Sequence, residues 1–225
     1  MKLKDLFTAK NVAYLAVLLA LVIVLQLFAS AVPIGAATLN FSLIPIVLGA
    51  IILGVWGGAF LGLACGIVVL IQVIVLTGNP FYYAIWTYSP VVTVFTCIVK
   101  TTAAGLLSGL AYQLLQKKNQ LVAVFVAAAI VPIVNTGLFI VGCLCMTGTI
   151  AEFGGGLQGM DVLVFILVGL VSFNFFIELA INLLFAPAIH RVVVVVEKQL
   201  GKKVNKPIAQ ENDVTEEEPP QTDKL

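Results

Sequence analysis

The chain has 225 residues, 61% of them hydrophobic and only 10% charged, with a formal net charge of +1. That composition lies far outside the range of a soluble domain of this length, and a net charge this small gives no footing for a nucleic-acid partner. The chain reads as an all-α integral membrane protein, and what matters is where its few charges sit.

The first apolar run, residues 11–32, follows Lys2, Lys4 and Lys10 and ends at Pro33. It is too long for the apolar region of a signal peptide and is read as a retained span behind a cytoplasmic segment, 1–10. The next apolar block, 41–77, is either one long helix or a hairpin. Gly54, Gly57 and Gly58 in its middle suggest a turn. The piece before that turn reaches only about 20 Å at 1.5 Å per residue, short for a span.

Charge decides between the two. Lysine and arginine prefer the cytoplasmic side. The N-terminal lysines, the Lys117-Lys118 pair and the C-terminal group Arg191, Lys198, Lys202, Lys203 and Lys206 should therefore share one side. An even number of spans must separate the first two groups, which requires 41–77 to be a hairpin. Span four then covers about 89–116, span five 120–147 and span six 161–188. The intervening external loops, 33–40, 78–88 and 148–160, contain no lysine or arginine. The expectation is six transmembrane helices with both termini cytoplasmic, a membrane domain over 11–190, a helical extension over 191–204, and a disordered acidic tail over 205–225.

Span four carries Lys100 far from either end. A cation at that depth costs roughly 2.5–3.5 kcal/mol on insertion scales. Ser89, Thr93, Thr96 and Lys100 recur at steps of four, three and four, so they share a helical face. Asn174, Glu178 and Asn182 form a second such face on span six. Asn135 and Thr136 follow Pro132 on span five. Polar faces of this kind point into the bundle or a wet cavity. Lys100 either pairs with Glu178 as interhelical glue or meets an anionic ligand group. By helical rise Lys100 lies about 16 Å and Glu178 about 25 Å below the outer ends of their helices, which makes Asn174 the nearer neighbour.

The external loop 78–88 crowds Phe81, Tyr82, Tyr83, Trp86 and Tyr88 around Asn79 and Pro80. It reads as an interfacial aromatic belt or as a lid over a pocket. Gly58, Gly62 and Gly66 on span three, and Gly105 and Gly109 on span four, have the four-residue spacing that lets helices approach closely. Ala16 and Ala20 on span one share that spacing, with Ala13 nearly on the same face. Cys65, Cys97, Cys143 and Cys145 lie in apolar surroundings without a Cys-x-x-Cys pair, and His190 is the sole histidine. They read as small hydrophobes, and neither a metal nor a cofactor is expected.

No Gly-x-x-x-x-Gly-Lys-Ser/Thr loop is present, so ATP hydrolysis by that route is excluded. His-Glu-x-x-His and Gly-x-Ser-x-Gly are absent too. With six spans, no obvious internal repeat and two deep charges, the chain is small for a self-sufficient carrier. A non-catalytic binding protein that borrows its energy from partners fits these features. A self-contained secondary transporter or channel, with Lys100 and Glu178 in its pathway, is the alternative.

The run LNFSLIPIVLGAIILGVWGGAFLG, residues 39–62, resembles helices two and three of the substrate-binding (S) components of energy-coupling factor (ECF) vitamin transporters, particularly the riboflavin, folate and pantothenate members. The helix count and the alanine pair agree, over about residues 11–190. The resemblance implies binding of a water-soluble vitamin or precursor at the external face of a bacterial plasma membrane. It implies as partners a transmembrane coupling protein and two cytoplasmic ATPases, contacted through an Ala-x-x-x-Ala face that Ala16 and Ala20 match. It places the substrate among helices four to six beneath external loops, where Lys100, Thr96, Asn135, Asn174, Glu178, Asn79, Tyr83 and Trp86 stand. A lone cation suits pantothenate, and an aromatic lid suits folate or riboflavin.

Overall fold

The computed structural model describes residues 6–30, 33–34, 37–38, 40–75 and 79–199; the expected acidic tail and the end of the helical extension lie outside the described residues. Span one is α1 (Ala9–Ser30). A two-residue antiparallel ladder, β1 (Pro33–Ile34) with β2 (Ala37–Thr38), follows it. The 41–77 block divides into α2 (Leu43–Ile52) and α3 (Gly54–Val75). The break falls at Leu53 and Gly54, at the front of the glycine cluster rather than within it. Gly54 has φ of 76°, a left-handed conformation that glycine adopts at little cost. Beyond it Gly58 packs on Ala50, and Gly49 on Leu61, so the two helices fold back on each other as a hairpin.

The expected loop 78–88 is helical: α4 (Pro80–Tyr88). Asn79 caps it, its side-chain oxygen accepting from the N–H groups of Phe81 at 3.0 Å and Tyr82 at 3.2 Å. Pro80 fits the first turn, where no N–H is needed. Span four is α5 (Pro90–Leu115) and span five α6 (Gln120–Cys145), the latter capped by Asn119. A short α7 (Thr147–Phe153) leads to α8 (Met160–Val164), a π-helical stretch (Phe165–Ser172) and α9 (Phe173–Gln199). These last three form one continuous helix. The Ser172 hydroxyl donates to the Leu167 carbonyl five residues back, so the π geometry is tied by a side chain as well as by the backbone.

Among the described residues, five helices are long and apolar enough to cross a membrane, and the ten-residue α2 makes a short sixth. The α8–α9 helix holds an apolar run of 37 residues, about 55 Å at helical rise. It exceeds a hydrocarbon core of roughly 30 Å and therefore tilts or projects beyond it. Bulky apolar side chains such as Phe95, Leu114, Phe173 and Leu184 stand outward, as suits a surface solvated by lipid.

The tightest packing joins α3 to α5 along the glycine faces. Gly58 meets Gly105, Gly62 meets Thr101, Gly66 meets Cys97, and Gly109 meets Val55, each backbone to backbone. With no hydrophobic force between helices in lipid, such close van der Waals contact is what holds them. The register sets the Leu53–Gly54 turn at the same end of the bundle as Lys117 and Lys118. The Tyr14 hydroxyl donates to Gln199 Oε1 at 2.9 Å, which brings the start of α1 beside the end of α9.

A buried polar knot ties α1 to the hairpin. Gln26 Nε2 donates to Gln72 Oε1 at 3.1 Å, Gln72 Nε2 returns to the Gln26 carbonyl at 3.1 Å, and Ser42 Oγ donates to Gln26 Oε1 at 2.7 Å. Cys65 sits 3.2 Å from Ser42 Oγ. All four side chains are buried. Neither glutamine stood out in the sequence, because one Gln on each helix makes no stripe.

Candidate functional site

Helical rise explains how the site is built. Lys100 on α5 and Asn135 on α6 each lie about 15 Å below the outer ends of their helices. They reach the same level because the two helices are antiparallel and equally long. The face carrying Leu170 of the π-helical stretch and Asn174 and Glu178 of α9 turns toward them. The short α2 begins well inside the bundle and brings Asn40 to that level. A cavity of about 70 Å³ lies between these helices, room for several waters at ~10–15 Å³ each. Its deep end is polar: Lys100, Asn135, Asn174, Glu178 and Asn40. Its outer end is apolar and aromatic, with Phe81, Tyr82 and Ile85 of α4 as the roof.

The polar atoms at the deep end are unevenly satisfied. Lys100 is 8% exposed. Among the described residues it has no hydrogen-bond or ion-pair partner, and its Nζ lies 5.1 Å from the centroid of the Phe139 ring. That is cation–π distance. Asn135 Oδ1 and Asn174 Oδ1 are buried acceptors without a donor. An unsatisfied buried polar atom costs about 1–3 kcal/mol; these two oxygens and the Lys100 ammonium face one cavity, while a third orphaned acceptor, Asn182 Oδ1, lies outside it. Glu178 is not paired with Lys100. Its Oε1 accepts from the Asn40 N–H at 2.9 Å and from Asn40 Nδ2 at 3.0 Å.

The polar stripe on α5 divides by task. Ser89 hydrogen-bonds Thr149 of α7 at 2.8 Å, and Thr93 Oγ1 donates to the Ile85 carbonyl at 2.9 Å. Both brace the roof. Thr93 and Thr96 both line the cavity, and Thr96 packs directly on Gly142 of α6. Asn182, a turn beyond Glu178, donates to the Glu178 carbonyl at 2.8 Å and does not reach the cavity.

Of the residues singled out in the sequence, the structure gathers Lys100, Thr96, Asn135, Asn174 and Glu178 on one lining. Asn79, Tyr83 and Trp86 do not line it. Asn79 spends its side chain on the α4 cap. Tyr83 is 54% exposed, and Trp86 packs against the core outside the cavity. The cause is helical periodicity: on α4 the positions 81, 82 and 85 share the inward face, a distinction that a loop reading of 78–88 does not make. Asn40, Phe139 and Phe175 were missed. Phe139 had a signal, being four residues beyond Asn135 on one face of α6. Asn40 had none, since its role depends on where the short α2 begins.

Ala13, Ala16 and Ala20 are exposed on α1, while Leu15, Leu18, Val22 and Gln26 face inward. The cysteines are free; Cys65, Cys97 and Cys143 are buried, but Cys145 is exposed at the outer end of α6, against the expectation that all four are interior.

No curated protein matches the chain. The family profile described as ECF transporter, substrate-specific component, matches residues 10–190, the span that holds all six membrane helices and every residue of the cavity lining. An apolar helix bundle with a polar-floored cavity accords with that match: the chain is a multi-pass membrane protein belonging to the ECF transporter substrate-specific component family.

Proposed function

We propose that this chain binds a water-soluble vitamin or vitamin precursor, with the carboxylate pantothenate ahead of folate or riboflavin, from the external side of a bacterial plasma membrane. It passes that ligand inward in assembly with a transmembrane coupling protein and two cytoplasmic ATPases, and performs no chemistry itself. The observation that carries the reading is the unpaired Lys100 ammonium beside two orphaned asparagine oxygens. A carboxylate satisfies the first, and hydroxyl or amide N–H donors satisfy the others. The aromatic roof supplies the apolar wall that orients a small ligand. The exposed alanine face of α1 supports a partner helix packed at short range.

The test begins with mass spectrometry of small molecules that co-purify with the protein from cells. Binding of labelled pantothenate to the purified chain is then measured for wild type and Lys100→Met. The variant is expected to lose about 10–150-fold in affinity, the worth of a hydrogen bond to a charged group. Equal binding by both would remove Lys100 from the site. Ion-driven uptake by the purified chain alone in liposomes would replace this reading with a self-contained transporter.

A further inference from the structure

Among the described residues, the cavity lining holds one cation and one carboxylate, Lys100 on α5 and Glu178 on α9. Opposite charges in a low-dielectric site attract strongly, and a buried ammonium has every reason to take the only carboxylate on its cavity wall. It does not. Glu178 Oε1 instead accepts two hydrogen bonds from one residue, the backbone N–H and the side-chain Nδ2 of Asn40. Asn40 stands just before the first turn of α2, which itself packs against α9. Hydrogen bonds to a charged acceptor are roughly twice as strong as neutral ones, and two of them on a single oxygen hold the carboxylate toward α2.

We infer that Asn40 is a specificity-determining residue: by clipping Glu178 to the head of α2 it withholds the carboxylate from Lys100 and keeps that ammonium available to an anionic group of the ligand. The inference rests on the proposed role of Lys100 as the ligand's anion contact. It also narrows the ligand class. The lining opposite Lys100 offers no second cation among the described residues, so a second anionic group on the ligand would find no counter-charge there. The fitting ligand is a monoanion whose remaining polar groups are donors, directed at Asn135, Asn174 and Glu178. Among carboxylate vitamins this favours one acid group over two.

The direct test needs no ligand. Dicyclohexylcarbodiimide, an apolar reagent that enters membranes, activates a carboxyl group and joins it to an amine only where the two meet. Wild-type protein and Asn40→Ala are treated in detergent, digested, and searched by mass spectrometry for the Lys100–Glu178 amide. Removing the side-chain donor leaves Glu178 with one bond in place of two, and the crosslink is expected to rise at least about tenfold, the scale of one charge-assisted hydrogen bond. Equal yields in the two proteins overturn the inference.

Rescue separates it from a merely structural role. Labelled pantothenate binding should fall in Asn40→Ala and return toward wild type in Asn40→Ala combined with Glu178→Gln, because an amide cannot neutralise Lys100. A double variant that binds no better than Asn40→Ala makes Asn40 a structural support only. Unaltered binding by Lys100→Met would strike the proposed function instead, while the crosslinking result would still judge the clip.

Discussion

Gly62 of α3 lies directly against the carbonyl of Thr101 on α5, with no room for a Cβ between the two backbones. The opposing members are main chain, so a side chain cannot be absorbed by rotating a neighbour. Gly62→Val should therefore force α3 and α5 apart and destabilise the protein by about 1–3 kcal/mol or more. Gly137 on α6 supplies the control, since nothing lies within 4 Å of a Cβ built there. Gly137→Ala should be neutral or stabilise the helix by about 0.5–1 kcal/mol. Thermal unfolding in detergent of both variants separates the two cases, and a drop of similar size for Gly137→Ala would mean the glycines act through the helix rather than through contact.

Asn135 presents a trade between stability and binding. Its Oδ1 is buried without a donor, so Asn135→Leu, close in volume, should leave stability unchanged or raise it by up to about 1–3 kcal/mol. Ligand affinity should fall by about tenfold or more as the acceptor disappears. Unfolding midpoints and equilibrium binding on the same preparations check this. Loss of stability with intact binding would make Asn135 a structural residue.

The Gln26–Gln72 knot should behave cooperatively. Gln26→Leu strands Gln72 Oε1 in the interior and leaves the Ser42 hydroxyl with Cys65 alone, a loss of about 1–3 kcal/mol. Adding Gln72→Leu removes one stranded group, so the double variant should be less destabilised than the two single effects predict. Chemical unfolding of the four proteins gives the coupling, and strict additivity would show the two glutamines to be independent.

On α1 the exposed Ala16 and Ala20 should matter to transport and not to binding. Ala16→Glu introduces a charge, and Ala20→Phe introduces bulk without a charge that lipid would resist. Both should abolish ATP-dependent uptake in cells carrying the partner subunits. The purified variants should bind ligand within about twofold of wild type, since surface changes away from the cavity perturb it little. Parallel loss of binding and uptake would place this face inside the working bundle.

Much of the architecture was legible because membranes allow few solutions. Apolar runs long enough to span, separated by loops without lysine or arginine, required six spans, and the Lys117-Lys118 pair required the hairpin. The glycine faces followed from spacing alone. The polar members of the cavity, Lys100, Asn135, Asn174 and Glu178, were legible for the same reason, since a polar side chain deep in an apolar helix must face inward. The aromatic residues near the roof were harder. Asn79 is a cap and Tyr83 points away because 78–88 contains a helix, and nine residues give too little periodicity to reveal one.

The amino-acid sequence by itself determined where the apolar helices of the bundle lie and which side chains must avoid lipid, because burying charge or bare backbone in hydrocarbon is costly. Only the tertiary structure decided who pairs with whom. Helical rise made Asn174 the nearer neighbour of Lys100, yet Glu178 reaches the same cavity and bonds to Asn40, at the head of a helix only ten residues long. Partner choice among a few buried polar groups turns on helix offsets of a few ångströms. Those offsets are set by packing between backbones, such as Gly62 on Thr101, and not by any pattern within one segment.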